Sequence, residues 1–468
     1  MLGRFYSSIF ILILGSVFSN SSFASSAASE VFEKLKSKAL NKSYDIEIAQ
    51  ASLDQKSSHL YTTVTKWFPH LDFQVSKNDT LDYSLVTSGA LGNFGNTFAP
   101  QENLLNRWSL NLTLPIYQRS VQLGIEQGGI DKHLAEIELQ SKKSEFEWKL
   151  FSYFTNYLLS SYQASTIEQS IEAGKKSLIE AKQRFELGQK TKVDVLRAEA
   201  NLVSLDSKRI TFEQSKQADY GSFLEYAGLE TRDIKDSGLA ELLGSETKIS
   251  TALSQITETP NLDPLLDPYV PKPGDSQADE MVNHAIAHSS VTYQKYETQD
   301  DLSESQARTL MADEFPNLSL QGSLSKQSPD FNQTFTSQQV SHSVALVLTV
   351  PIFSGGSIIS TYSEKNNAQR LSGLKREQDR IHFKNETSKN LLQILALRRT
   401  RESQTLSLSQ NTEIVRLSRK SYELGKATIV ELLGSENDLI DAKTNLAKTK
   451  VTLATLSRQL VSDLGIKK

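Results

Sequence analysis

The sequence predicts a mainly α-helical, internally duplicated chain that carries four β-strands of the membrane type. Three observations predict it. Short motifs recur in the same order in both halves, prolines leave two very long stretches free, and apolar residues alternate at period two ahead of two proline-centred motifs.

The chain has 468 residues, 38% hydrophobic and 23% charged, with a formal net charge of -4. That balance offers no basic field for nucleic acid. The absence of cysteine removes disulfides, thiolate metal sites, cysteine nucleophiles and a lipidated N-terminal cysteine. Residues 1–24 read as a signal peptide: Arg4 supplies the charged start, Ile9 to Leu14 open an apolar run, and small-residue cleavage sites fall near 24–28. No later stretch offers about 18 consecutive apolar residues, so an exported chain of this kind enters a membrane only as a closed barrel.

The duplication rests on three ordered matches. Phe68-Pro69-His70-Leu71 echoes Phe315-Pro316-Asn317-Leu318; Leu112 to Tyr117 (LTLPIY) echoes Leu348 to Phe353 (LTVPIF); Phe185-Glu186-Leu187-Gly188 echoes Tyr422-Glu423-Leu424-Gly425. The offsets are 247, 236 and 237 residues, so the loop between the first two matches is longer in the first copy. The expected division is a first repeat over 25–240, a Pro-rich linker over 241–278 with its prolines between Pro260 and Pro273, and a second repeat over 279–468. Each repeat reads as a helix, two strands and a long helical hairpin.

Proline is disfavoured inside helices, and none occurs from 116 to 259 or after 351. Pro115 and Pro351 therefore mark strand-to-helix junctions. The stretch from Pro115 to Gly188 would measure about 110 Å as a continuous helix, with local breaks expected at Gly124, Gly128, Gly129 and Gly174. Phe146, Leu150, Tyr153, Phe154, Tyr157, Leu158 and Tyr162 form a stripe suited to helix packing. After Gly188, Val193, Leu196, Ala200, Val203, Ser207 and Ile210 keep heptad spacing; Val430, Leu433, Asn437, Ile440, Thr444 and Ala447 do so in the second copy. Gly188 and Gly425 each suit the left-handed residue that ends a helix, which places a tight turn in each hairpin.

Leu71, Phe73 and Val75 alternate with polar residues, as do Leu110, Leu112 and Leu114. In the second copy Leu318, Leu320 and Leu324, then Val344, Leu346, Leu348 and Val350, repeat the pattern. One apolar and one polar face over strands of about ten residues fits a membrane barrel. Four strands cannot enclose a water-filled pore, whereas three chains would pool twelve. The stretch from about Thr80 to Arg107, rich in Gly, Asn and Ser, reads as an extracellular loop.

Arg184-Phe185-Glu186-Leu187-Gly188 with Val193-Asp194-Val195-Leu196, Ser421-Tyr422-Glu423-Leu424-Gly425 with Thr428 to Leu433, and Leu348 to Gly356 resemble the TolC-like outer-membrane efflux proteins over nearly all the mature length. The resemblance implies a homotrimeric channel-tunnel: a shared twelve-stranded β-barrel, a long periplasmic α-helical barrel and a mixed equatorial belt. It implies a passive exit duct in the outer membrane of a Gram-negative cell, surrounded by outer-membrane lipid and extending into the periplasm. The hairpin turns, with Gly188, Gly425, Leu187 and Leu424, would dock on a periplasmic adaptor. That adaptor would link the duct to an inner-membrane pump of RND, MFS or ABC type, or to a type I secretion ATPase. Energy would come from those partners, with no cofactor and no enzymatic activity in this chain.

The same resemblance places Glu431 in an acidic ring around the periplasmic pore and Tyr422 with Asp194 in a contact that holds the gate shut. A second acidic ring is missing, since Gly434 stands at its place, and a basic residue that aids closure in some relatives is here Ala427. Lys426 or Lys192 are the alternatives for that cation.

Two other patterns carry less. His284 and His288 lie four apart, but Ala285-Ile286-Ala287 between them lacks the glutamate of a zinc protease, and a surface pair is the better reading. Gly89, Gly92 and Gly95 fit a flexible loop rather than a phosphate cradle. The rival reading of the whole chain is an exported coiled-coil scaffold or adaptor without a pore.

Overall fold

The computed structural model describes residues 27–86, 97–230, 232, 238–257, 290–336, 339–353 and 355–464. The signal peptide, the Pro260–Pro273 stretch, the His284/His288 pair and the glycines at 89, 92 and 95 lie outside those residues. In chain order the elements are α1 (Ala27–Leu40), α2 (Tyr44–Thr65), β1 (His70–Val86), β2 (Thr97–Tyr117), α3 (Arg119–Glu186), α4 (Lys192–Ala227), α5 (Leu239–Leu242), α6 (Glu246–Thr257), α7 (Val291–Thr309), β3 (Asn317–Ser328), α8 (Phe331–Thr334), β4 (Ser341–Thr349), α9 (Ser357–Glu423) and α10 (Ile429–Leu464). Helix, two strands and a helical hairpin thus follow one another twice. Spatially the chain forms two units that do not follow the duplication: one of Met1–Glu47, Ser141–Ser290 and Lys384–Lys468, the other of Ile48–Gln140 and Val291–Phe383. Each draws on both copies.

The second unit holds a four-stranded antiparallel sheet in the order β1-β2-β3-β4, with β1 and β4 at its edges. Directly paired residues share a face. Phe73 pairs with Leu110, which pairs with Leu324; Leu71 pairs with Leu112; Leu320 pairs with Leu114 and with Leu346. The opposite face collects Asp72, Gln74, Ser109, Asn111, Thr113, Ser319, Gln321, Ser323 and Ser343, with the Ser323 and Ser343 hydroxyls 2.8 Å apart. Leu71, Phe73, Val344, Leu346 and Leu348 are each more than 60% exposed. Burial usually recruits such residues, so an apolar sheet face left bare marks a surface made for another apolar medium.

β1 and β2 are 17 and 21 residues long, not about ten, and their ladder runs to Val86 paired with Thr97. Most of the stretch expected to be a loop is therefore strand. Antiparallel pairing satisfies the backbone whatever the side chains are, and Leu81, Tyr83 and Leu85 continue the period after the strongly apolar part ends. The register of β2 against β3 shifts between Pro115 and Tyr117, where proline cannot donate to the ladder. Pro115 thus lies at a bulge just before α3, and Pro351 lies between β4 and α9.

α3 and α9 are unbroken helices of 68 and 67 residues. The breaks expected at glycines in α3 are absent, for a packing reason. A Cβ on Gly128 would meet Leu60 at 3.1 Å, one on Gly124 would meet Thr63 at 3.2 Å, and one on Gly174 would meet Leu205 at 3.2 Å. These glycines let a neighbouring helix approach closely.

The first unit is centred on the predicted aromatic stripe. Phe146, Leu150, Phe154, Tyr157, Leu158 and Tyr162 are buried together with Phe32, Phe223, Leu253 and Val451. Ring contacts (Phe154 to Phe223 at 5.7 Å, Tyr157 to Tyr220 at 5.1 Å) lock α3 against α4. Glu246 at the start of α6, 8% exposed, accepts from Lys443 of α10 at 3.0 Å and from the Thr166 hydroxyl of α3 at 3.2 Å, which satisfies a buried carboxylate and clips three helices together.

The two heptad seams behave differently. Leu433, Ile440 and Ala447 of α10 are buried within the chain, and Asn437 donates to Asn201 of α4 at 3.1 Å. Val193, Leu196, Val203 and Ile210 of α4 are instead 51–67% exposed. Among the described residues, this apolar helical stripe of α4 is left uncovered.

Candidate functional site at the hairpin turns

Each long hairpin turns through the same local chemistry. Gly188 (φ +69°) and Gly425 (φ +73°) are left-handed, with no atom within 4 Å of an added Cβ. Glycine is needed there for the backbone angle and not for room. Gln189 N–H donates to Arg184 O at 2.8 Å and Gly188 N–H to Phe185 O at 2.9 Å; Lys426 N–H donates to Ser421 O at 2.8 Å and Gly425 N–H to Tyr422 O at 3.0 Å. This is the Schellman pattern, which satisfies the last carbonyls of α3 and α9.

The next helices start with a capping box. Thr428 N–H donates to the Glu431 carboxylate at 2.9 Å, and Glu431 N–H donates to the Thr428 hydroxyl at 3.3 Å. Thr191 N–H and the Thr191 hydroxyl both donate to Asp194 at 3.0 Å. Asp194 and Glu431 are separated by 237 residues, as are the two turn glycines. Each carboxylate satisfies an orphan donor and sits in the favourable field of a helix N-terminus. An ion pair repeats at the same offset: Lys182 with Glu199 at 3.0 Å between α3 and α4, and Arg419 with Glu436 at 2.5 Å between α9 and α10.

What joins one hairpin to the other is asymmetric. Arg184, four residues before Gly188, is held by Glu180 at 2.6 Å and donates to the carbonyls of Tyr422 at 3.1 Å and Glu423 at 3.0 Å. Its guanidinium lies 5.0 Å from the centroid of the Tyr422 ring, and the Lys190 ammonium lies 5.1 Å from it. Lys190 also donates to Ala427 O at 3.4 Å. The ring is fully buried and packs with Ile429, Leu432 and Leu433. A planar, always-charged guanidinium is well suited to serve two carbonyls and a ring at once.

The structure brings Tyr422 into the site but forms no hydrogen bond between it and Asp194. The buried Tyr422 hydroxyl has no hydrogen-bond partner, and Asp194 is engaged with its own helix cap. Burial, reinforced by Glu180, pushes the phenol up while Arg184 works against it, so the hydroxyl stays protonated. The cations seen against the Tyr422 ring are Arg184 and Lys190. Lys190 stands 237 residues before Ala427, so the copy that lacks a basic residue receives one from the equivalent position of the other. Glu431 is exposed at the turn, as are Leu187 (72%) and Leu424 (62%). Sequence reasoning missed the role of Arg184. A cation in the last turn of a helix was a signal that it would serve carbonyls, but nothing local said they would belong to the other hairpin.

Long helical hairpins with capped turns, and a sheet that is apolar on one exposed face and polar on the other, are the elements that the channel-tunnel resemblance led one to expect. Residues 289–465 match the family model of the outer membrane efflux proteins. The alkaline protease secretion protein AprF of Pseudomonas aeruginosa is 21% identical over 361 residues, which cover 76% of this chain and 69% of AprF. Among solved structures, the outer-membrane channel OprN aligns with a TM-score of 0.72 at 15% identity, over 93% of this chain and 90% of its own. The outer membrane protein VceC from Vibrio cholerae aligns at 0.71 and 13%, over 94% and 98%. The chain therefore has the TolC-like fold, and the resemblance read from its motifs holds in both family model and architecture.

Proposed function

We propose that this chain is one subunit of an outer-membrane exit duct, a passive channel-tunnel energised by inner-membrane partners. The observation that carries this reading is the sheet. Its apolar face is exposed along β1 and β4, its polar face is hydroxyl- and amide-rich, and β1 and β4 are edges. Open edges invite pairing with another chain, and backbone groups in lipid must all be paired. Three copies joined β4 to β1 would close a twelve-stranded barrel, apolar outward and polar inward. A pore-less scaffold has no use for such a sheet.

The exposed stripe Val193, Leu196, Val203 and Ile210 supports a homotrimer in the same way, because a neighbouring copy would cover it. In the assembly three Glu431 carboxylates would surround the periplasmic entrance and favour cations. Arg184 and Lys190 would hold each chain's two turns together in the closed form. Leu187 and Leu424, apolar and exposed at the turns, would meet a periplasmic adaptor, behind which stands an inner-membrane pump or secretion ATPase. The likeness to AprF favours protein secretion over small-molecule efflux as the cargo class.

The test is membrane extraction followed by gel analysis and planar-bilayer recording. The expected result is a detergent-dependent, heat-modifiable trimer that conducts ions. A water-soluble monomer would sink the duct and leave the scaffold.

A further inference from the structure

Beyond the sheet itself, the β3–β4 connection bears on the membrane. It folds over the apolar face and not over the polar one. Trp108, which shares that face with Phe73 (ring centroids 6.3 Å apart), donates its indole N–H to Thr334 O at 2.6 Å. Lys326, paired with Trp108, donates to Thr336 O at 2.9 Å, and Asn106 Nδ2 donates to Pro329 O at 2.9 Å. Asp330 caps α8 by accepting from Asn332 N–H at 3.0 Å, and Thr334, the last residue of α8, is buried. With its underside fixed in this way, the loop presents two rings to the outside. Phe331 (51% exposed) and Phe335 (52% exposed) pack edge to face, 5.4 Å apart.

We propose that α8 is an interfacial anchor that seats Phe331 and Phe335 at the boundary between headgroups and acyl chains of the outer leaflet. The proposal rests on the barrel reading, with the apolar face outward. Its level follows from Lys326. A cation on the lipid side of a barrel is costly at mid-bilayer and nearly free of cost near the interface. Lys326 is 7% exposed and held by a carbonyl and a hydroxyl of Thr336. That arrangement belongs at the rim, where the outward face turns from Leu110 and Leu324 to Asn106 and Lys326. Aromatic rings collect at this depth. The two phenylalanines add apolar surface where the sheet stops supplying it, and the hydrogen bonds to Trp108 and Asn106 tie them to β2, so the anchor fixes the height of the sheet in the bilayer.

The chain has no cysteine, so single-cysteine variants can be labelled directly. Phe331→Cys, Phe335→Cys, Asn332→Cys and Leu346→Cys, each carrying an environment-sensitive fluorophore, would be placed in phosphatidylcholine vesicles. Iodide would serve as the aqueous quencher and doxyl lipids as quenchers at shallow and deep positions. Labels at 331 and 335 are expected to be quenched by the shallow lipid and severalfold less by iodide than the label at 332. The label at 346 should respond to the deep lipid. Iodide quenching at 331 and 335 equal to that at 332, with 346 still in lipid, overturns the anchor alone. Protection of 331 and 335 from both quenchers also overturns it, since protein would then cover them. An aqueous label at 346 removes the barrel reading as well.

Discussion

Glu431 and Asp194 hold the same post in the two hairpins, each closing a capping box at the start of the next helix. This gives a clean separation of charge from fold. Glutamine can make the same capping hydrogen bonds as glutamate and loses only the charge's attraction to the helix N-terminus, so Glu431→Gln should lower thermal stability only slightly, by about 0.3–1 kcal/mol, and lower cation selectivity in planar bilayers. Glu431→Ala loses the cap too and should cost about 1 kcal/mol of helix stability. Equal selectivity in wild type and Glu431→Gln would take Glu431 out of the gate. Arg184 and Tyr422 make a second pair of tests. Arg184→Ala removes two charge-assisted hydrogen bonds and a ring contact, worth about 2 kcal/mol, and should raise the open probability. Arg184→Lys should not rescue it, because an ammonium cannot serve both carbonyls in the guanidinium's geometry. Tyr422→Phe removes a hydroxyl without a partner and should leave the conductance of the closed form at the wild-type level. A leaky Tyr422→Phe pore would restore a role for that hydroxyl, with Asp194 the first candidate partner.

Among the elements, α4 carries the clearest unused surface. Val203 is 67% exposed in the middle of its stripe. Val203→Glu should retain the helical circular dichroism signal and lose the heat-modifiable trimer on a gel; a trimer of wild-type stability would show that no helix packs there. At the other end of the hairpin, burial pushes the Asp463 carboxyl of α10 up to about 6, with Glu145 and Glu386 adding repulsion. A raised carboxyl binds its proton more tightly in the folded state than in the unfolded one. Its penalty is therefore absent below the ordinary value of 3.8 and fully present above about 6. Asp463→Asn should flatten that part of the decline in thermal stability as pH rises from 4 to 7, measured on detergent-solubilised protein. Parallel pH profiles for the two proteins would show that Asp463 is solvated.

At the scale of the whole molecule, duplication supplied two of everything and the fold used the copies unequally. The turn glycines, capping acids and hairpin ion pairs are equivalent in both copies. Arg184, Phe185 and Lys190 face Ser421, Tyr422 and Ala427 at the corresponding positions, and there the copies differ in charge and burial. That asymmetry is what lets one turn grip the other. A sheet with four strands and two edges is equally incomplete by itself, and the proposed three-chain barrel is what would complete it.

The sequence by itself determined the duplicated order, the long proline-free helices, the alternating strands and the two turn glycines. Each is set by local rules: side-chain period, backbone angle and the missing proline N–H act over a few residues and can be read there. Only the tertiary structure decided that glycines in α3 admit a neighbouring helix where breaks were expected, and that β1 and β2 extend through a stretch that reads as a loop. It alone decided that α10 buries Leu433, Ile440 and Ala447 of its seam while α4 leaves its apolar members exposed, and that Arg184 reaches carbonyls more than 200 residues away. Those outcomes depend on which surfaces meet, and a contact between distant segments leaves no periodic trace in either one.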